Sequence, residues 1–516
     1  MSGAPMSPHY RKLPIVLTAL AITPYTATIL IHADTARYHL ETPVSWRLEG
    51  TAQRGVSHIV PVFIEDLEPD TDYVLVAGQQ TVGFRTAPCA GLIEAADYGV
   101  CVDTPNNAMA FAAAVAAVPR GGTLRVPNGR LASGPVFLKS DMTLWLPEGA
   151  ILSAISDRNG WPVLPAHDDS GRVIGTWEGL PAASFASPVT AIGCDNLTIT
   201  GRGTLDGGGD RGDWWTWPKE TRDGARRPRA LFLAHCTQTI LSGMTVRNSA
   251  SWTVHPFCCD RLTAAALRIK NPADSPNTDG FDPESCMHVQ VRGLHISVGD
   301  DCIAVKAGKR GTGDDPRVDH IAPTRHLTIA NCLMEDGHGA VVMGSEMSGD
   351  ITDVDITRCE FKGTDRGLRI KTRRGRGGHV ARIAMDDVVM DSVGTALAVN
   401  AFYFCDADGK SATVQSRAPA PVDDTTPQIS DITISNVQLR GVRHAAGAFL
   451  GLPEAPVCGL RLSNITVEYD ATATAGDTLM ACHLPPVSHA GFLHRFTEID
   501  ADAPLIHMLE DLIDVG

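Results

Sequence analysis

The chain has 516 residues, 43% hydrophobic and 20% charged, with 44 basic against 59 acidic side chains and a formal net charge of −15. That length can bury a large core and exceeds one ordinary domain. The acidic balance argues against nucleic acid as a partner, since such binders carry a basic face, and no apolar run reaches the ~18 residues that cross a bilayer.

From the N-terminus, "LPIVLTALAI" at 13–22 follows Arg11 and Lys12, and Tyr25-Thr26-Ala27 offers small residues for cleavage, so a signal peptide is one reading. The run passes without a break into the alternating "TATILIHAD", and two N-terminal strands are the better reading. Alternating runs "VSWRLEG", "HIVPVFIEDL", "DYVLVAG" and "TVGFRTA" follow, and in "LEPDTDY" Leu67 and Tyr73 stand as in a tyrosine corner. Residues 1–88 are therefore expected to form a fibronectin type III-like β-sandwich.

Residues 89–516 have a different texture. "NNAMAFAAAVAAV" at 106–118 predicts a helix with Asn106 as its N-cap. From about 123 onward short β-type runs recur, each bounded by Gly, Asn or Asp. Their first β-type residues, Leu197, Ile240, Leu262, Val289, Leu327, Val354, Ile383, Ile432 and Leu460, are separated by 43, 22, 27, 38, 27, 29, 49 and 28 positions. A floor in the twenties with longer gaps predicts a parallel β-helix whose insertions are loops. Coils stack ~4.8 Å apart, so equivalent positions form ladders, and the alanine-rich helix is expected to cover the open N-terminal end. Thirteen cysteines occur without a CxxC or zinc-type spacing. Cys236, Cys332 and Cys359 sit among alternating apolar residues, where thiols act as small core hydrophobes.

The chemistry concentrates in four later stretches. Asp279 in "NTDGFDP" lies 21 residues before Asp300 in "SVGDDC", about one coil, so Asp279, Asp300 and Asp301 are expected on one face. Clustered carboxylates repel, which raises at least one pKa and leaves one acid beside ionised bases, the equipment of a glycoside hydrolase. A turn role for Asn-Thr-Asp-Gly and a calcium site are the competing readings. Adjacent strand residues point opposite ways, so both aspartates reach one site only if the backbone bends, and Gly299 permits the bend. "DGHGAVVMGSEMSG" sets His338 between glycines that let backbone approach a ligand. "DRGLRIKTRRGRGG" puts Arg369 and Lys371 on one strand face, suited to a carboxylate substrate. Arg373, Arg374 and Arg376 read as a solvated loop. His255 and Lys306 are candidates to line substrate subsites, as are Trp214, Trp215 and Trp252, for which buried packing is the equal alternative. "RGD" at 211–213 reads as part of a loop.

"NTDG" at 277–280, "GDD" at 299–301, "GHG" at 337–339 and "RIK" at 369–371 together resemble the polygalacturonases of glycoside hydrolase family 28. The likeness runs from "DYG" at 97 through "GGTLRVP", "GTLDGGG" and "SWTVHP" to the last coils. It implies a right-handed, pectin-lyase-like β-helix that hydrolyses α-1,4-galacturonosyl bonds of polygalacturonate or oligogalacturonides with inversion, needing no metal or other cofactor and no membrane. On that resemblance Asp300 is the general acid, Asp279 and Asp301 hold and deprotonate water, and acid and base stand about 6.5–9.5 Å apart. His338 would tune the acid and touch substrate, Arg369 and Lys371 would bind the sugar C6 carboxylate, and Asn277 would orient the aspartates. The GHG histidine favours galacturonan over rhamnogalacturonan. "GSEMSG" looks bacterial, and the N-terminal module with the long segment 307–323 is similar to exo-acting members. A pectate-lyase-like elimination using calcium and an arginine base, and a non-catalytic carbohydrate-binding solenoid, are the alternatives. Unpaired thiols without a clear leader point to the cytoplasm ahead of the periplasm.

Overall fold

The computed structural model describes residues 16–311 and 318–502, so the start of "LPIVLTALAI" and the middle of the segment 307–323 lie outside the described residues. Among the described residues, strands Leu17–Ile22, Ala27–Ile31 and Pro61–Ile64 form one antiparallel sheet. His39–Leu48, Arg54–Ile59, Asp72–Ala77 and Gln80–Arg85 form a second. The two sheets enclose Ile29, Ile31, Leu48, Val62, Leu75 and Phe84. The apolar N-terminal run is thus a strand paired with its successor, Leu17 opposite Ile31. Leu67 is buried, and the Tyr73 hydroxyl accepts from the Glu68 backbone N–H at 2.9 Å.

From Leu92 onward the chain winds as a parallel β-helix. Each full coil contributes two strands to a large sheet of 21 and one to a third face. On that face a four-stranded and a six-stranded sheet are joined through single bridges at Phe281 and Glu284. Leu262, Val289, Leu327, Val354, Ile383, Ile432 and Leu460 stack in one ladder. The expected landmark Ile240 is one residue out, because Thr239 is the partner of Leu262. Its side chain is buried and small, which the apolar pattern does not register.

What turns the coils is one left-handed residue at each corner. Ala266, Gly293, Asn331, Arg358, Asp387 and Asn436 all have φ between 50 and 67°; the first four stand between two large-sheet strands, and Asp387 and Asn436 hold the same place inside the long strands His379–Asp391 and Gln428–Val442. Gly and Asn enter this region at little steric cost, whereas Ala266 and Arg358 are held there by the pairing on either side. Each is followed by a buried apolar side chain: Leu267, Leu294, Cys332, Cys359, Val388 and Val437. The cysteines expected in the core, Cys236, Cys332 and Cys359, are fully buried.

The helix spans Ala108–Ala117 and buries Phe111, Ala114 and Val115 against the first coils. Asn107, not Asn106, takes the cap position. Its fully buried amide is committed to Cys101 and Ala132, while Asn106 Oδ1 still accepts from Ala108 N at 3.0 Å.

The N-terminal sandwich docks on the corner ladder across the coil section from the third face. Asn331 donates to Ala33 O and Ala36 O, Arg358 donates to Ala33 O, and Arg37 pairs with Asp387. At the other end Tyr25 stacks on Trp145 with ring centroids 4.8 Å apart. The Glu65 carboxylate accepts from Trp145 Nε1 at 2.8 Å and from the backbone of Glu148 and Arg202. Glu65→Ala strands those donors in a buried joint, so it should lower stability by roughly 1–3 kcal/mol. A fall in the urea midpoint checks this; an unchanged midpoint would remove Glu65 from the joint.

Candidate active site

The third face turns its alternate side chains outward, and four successive coils place chemistry there. Asp301 opens the strand Asp301–Val305, and Arg369 and Lys371 lie on Arg366–Lys371 two coils on. Between them the coil contributes small residues: Gly339 is in register with Asp301 and Gly344 with Lys371. A Cβ on Gly339 would sit 3.1 Å from Asp301 Oδ1. With hydrogen there instead, Arg369 reaches Asp301 Oδ1 at 3.2 Å and Lys371 Nζ reaches Oδ2 at 2.6 Å.

The expected bend before Asp301 is present, at Gly299 and Asp300. Gly299 is required for close approach, since a Cβ there would fall inside 3.0 Å of the Ser275 and Pro272 carbonyl oxygens. Asp300 Oδ1 accepts from Asp301 N at 3.0 Å, which turns its carboxyl toward the site instead of across the strand. Asp279, Asp300 and Asp301 consequently present oxygens within 4.8 Å of one another. That is closer than the 6.5–9.5 Å expected for separated acid and base groups. His338 Nδ1 lies 3.2 Å from Asp300 Oδ1, and its backbone N–H donates to Asp300 O.

Three aspartates in contact meet three different fields. Burial pushes Asp279 up, and the charge of Asp300 adds to it, to about 7. Burial pushes Asp301 the same way, but Lys371 and Arg369 outweigh it and hold Asp301 well below the usual carboxylate range. The hydrogen bond to Asp300 raises His338 to about 9, against the effect of partial burial. Cationic groups already in place, Arg369 and Lys371 on Asp301, Lys306 beside Asp279 and His338 on Asp300, occupy the directions a hard cation would use.

Other expected site residues stand differently. Lys306 is buried beneath the aspartates, 3.7 Å from Asp279, 3.6 Å from Asp282 and 3.6 Å from Glu346, with Nζ 4.6 Å from the Trp252 ring. It braces carboxylates and does not line a subsite. His255 is fully buried, with Nε2 3.0 Å from Glu284 and its ring edge-on to Trp252, so it cannot touch substrate. Its strand neighbours carry aromatic rings, Trp252 and Phe257, that close over it. Asn277 does not reach out to orient the aspartates through its oxygen, which accepts from buried Arg227 at 2.7 Å. Trp214 and Trp252 are buried, while Trp215 is half-buried with its indole N–H on Ser249 O. "RGD" lies in a turn, with Arg211 on Asp206 and Asp213 on Arg158.

The solvated-loop expectation for Arg373, Arg374 and Arg376 is wrong, because all three are buried. Arg373 and Arg376 share Asp406, and Arg374 is held bidentately by Glu454 at 2.6 and 2.8 Å. Their partners arrive from distant insertions that nothing local in the sequence announces. Asp406 also takes Lys309 at 3.1 Å. The hairpin turn at Gly179 packs onto Lys309 and Glu346, where a Cβ would fall 2.7 Å from Glu346 Cγ. Excursions from four parts of the chain thus meet beside Lys306, and on the Arg369 side Met480 Sδ closes in at 3.3 Å.

Two buried acids belong to the site and were not singled out from sequence. Glu346 lies in "GSEMSG", and Asp282 lies three residues past Asp279 in the quoted "NTDGFDP". The spacing i, i+3 from Asp279 hides the second, since it is an even-odd mismatch on a regular strand; the irregular turn at 277–280 undoes it.

Residues 181–490 match the family model described as glycosyl hydrolases family 28. A "Probable polygalacturonase" from Vitis vinifera is 31% identical over 385 residues, covering 73% of this chain and 74% of that protein. An exopolygalacturonase structure from Thermotoga maritima superposes with a TM-score of 0.64 at 22% identity, over 80% of this chain and 90% of that one. A family 28 exopolygalacturonase from Yersinia enterocolitica gives 0.60 at 19% identity, over 95% and 96%. At such identities the two structures speak to the fold.

The His338–Asp300 contact makes a direct prediction for the free protein. The imidazole should titrate near 9 in an NMR pH series, and in Asp300→Asn it should return toward the ordinary ~6.5. An unmoved titration in the variant would show that Asp300 does not hold the proton on His338.

Proposed function

The chain belongs to glycosyl hydrolases family 28 as a polygalacturonase, and from that membership we propose inverting hydrolysis of α-1,4-galacturonosyl bonds in polygalacturonate or oligogalacturonides, worked from the chain end. The observation that carries the mechanism is the divergence of the three aspartates. Asp301, ionised by Lys371 and Arg369, and Asp279 beside it are close enough for one water to bridge. Oxygens less than 4.8 Å apart leave a shared water within ordinary hydrogen-bond distance, about 2.8 Å, of each. Asp300 faces the half-exposed side with His338 and delivers the proton to the glycosidic oxygen.

That assignment needs a proton on Asp300 at the moment of reaction, whereas in the free protein burial and the charge of Asp300 push Asp279 up, to about 7. The two carboxyls titrate as a set, and their oxygens, within 4.8 Å of each other, are close enough for a water between Asp279 and Asp300 to carry the proton across. The upward push on Asp279 favours a second reading in which Asp279 is the acid. The short separation likewise matches the ~5–5.5 Å of a double displacement better than the wider inverting range. Measured stereochemistry and leaving-group dependence decide between them.

The substrate carboxylate fits the outer edge of the Arg369–Lys371 pair, whose side chains are still slightly exposed beside Asp301. Exo action is supported by the insertions that converge at Gly179, Lys309, Glu346 and Asp406, which build a wall where an endo enzyme needs an open groove. The seven strands in two sheets and the Tyr73 hydroxyl contact support the fibronectin type III-like reading of the N-terminal unit, with the division near residue 88. Thirteen unpaired thiols support a reducing compartment, the cytoplasm ahead of the periplasm.

Asp300→Asn should lose roughly 10²–10⁴-fold in kcat on polygalacturonate, the usual worth of a general acid, with KM little changed. On a galacturonide with an activated aryl leaving group the loss should largely disappear, because that group departs unprotonated. If Asp279→Asn is the variant rescued, the acid assignment moves to Asp279. The anomer first seen by NMR should be β, and an α product would establish double displacement. Release of monomer or dimer alone would support chain-end action, and a ladder of oligomers would end that part of the reading.

A further inference from the structure

Asp282 and Glu346 are the two buried carboxyls of the site to which the mechanism above gives no step, and Asp282 is the one without a strong cation partner. It is fully buried, no N–H or hydroxyl of the described residues donates to either of its oxygens, and its hydrogen-bonding neighbour is another carboxyl, Asp279. An ionised carboxylate in that state is among the most costly things a protein can bury. Its nearest cation, Lys306 at 3.6 Å, is shared with Asp279 at 3.7 Å and Glu346 at 3.6 Å. One ammonium therefore faces three carboxyls.

The other charges decide which of the three stay ionised. Burial pushes Glu346 up, but Lys306, Lys371 and Arg376 outweigh it and hold Glu346 at about 2. Lys306 and Glu346 thus compensate each other. Asp279 and Asp282 are left as a buried pair of like groups, with Asp301 adding negative charge and Arg229, stacked on Trp252, contributing positive charge from the coil below. Two adjacent carboxyls without a cation of their own cannot both ionise.

We propose that Asp282 is a positioning residue kept as a neutral carboxylic acid, whose O–H is donated to the Asp279 carboxylate and fixes the face that Asp279 turns to the attacking water. This rests on the reading of Asp279 as a water-holding residue and adds to it. Burial and the charge of Asp279 both push Asp282 up, in the same direction as the geometry. Asp279 itself sits in the turn at 277–280, whose neighbour Asn277 is turned toward Arg227. Asp282 then supplies the orienting contact that Asn277 was expected to give.

The test compares two substitutions with a measurement that does not depend on turnover. Asp282→Asn keeps the shape and an N–H donor, and Asp282→Leu removes the donor. The Leu variant should lose roughly 10- to 100-fold in kcat, the worth of a hydrogen bond to a charged group. Asn should recover most of that loss, with KM near the wild-type value in both. In the wild-type infrared spectrum at about pH 9, above the range in which Asp279 titrates, a protonated-carboxyl C=O band should be present, and it should vanish in Asp282→Asn, the variant that also serves if Leu fails to fold. Absence of that band, or equal losses for Asn and Leu, would overturn the inference. The band is read whether or not polygalacturonate is the substrate, so wild type that fails to cleave it overturns the functional reading separately.

Discussion

The buried triad of Asp301 with Arg369 and Lys371 is the constraint on which the rest of the site depends. It ties two coils across a third, and it exists only because Gly339, in register with Asp301, leaves room for both cations to reach. Removing a charged partner from such an arrangement is far more damaging than the net worth of the pair, because the remaining charges stay buried. The triad also fixes the sign of everything beside it. With Asp301 held ionised at all but very acidic pH, its neighbours face a permanent negative charge, and a proton is driven to the carboxyls that lack a cation of their own.

Much of this was legible in the sequence because the fold is periodic. Seven apolar landmarks from Leu262 to Leu460 stack as their spacing implied, since each points into the core from a strand paired in register with the next and the hydrophobic interior tolerates no slip. The gathering of Asp279, Asp300 and Asp301 followed from the same period. Gly293, Asn331 and Asn436 advertised their corners, because Gly and Asn are the residues that take positive φ at least cost. Ala266 and Arg358 occupy equivalent corners without any such sign, and there the pairing of flanking strands overrides residue preference.

What stayed hidden shares one physical cause, contact between insertions far apart in the chain. Arg373, Arg374 and Arg376 look like a hydrated basic loop until Asp406 and Glu454 fold back over them. His255 stands in "SWTVHP", part of the likeness to the family, and was a candidate to line a subsite, yet Trp252 and Glu284 cover it. Asp282 sits in plain view inside the motif that identifies the family. Its importance comes from what it lacks, a donor to its oxygens, and only three-dimensional packing reveals such an absence.

The charge count also bears on which chemistry the site serves. An elimination that relies on calcium needs carboxylates free to bind a divalent ion, and it needs an arginine free to act as base. Here the guanidinium nearest the aspartates is spent on Asp301, and the lysine beside it is spent on the same carboxylate. A binding solenoid, for its part, has no use for a cluster of acids in which the proton affinities of Asp279 and Asp301 are driven apart by their surroundings. Hydrolysis uses that divergence directly: one carboxylate permanently basic, a second of intermediate affinity beside it, and a third paired with an imidazolium at the mouth of the site. The fold supplies the divergence by placing two cations, from two coils above, on Asp301 alone, while Asp282 shares the single Lys306 with Asp279 and Glu346. The asymmetry of the ladder is therefore what gives neighbouring acids of one stack different proton affinities.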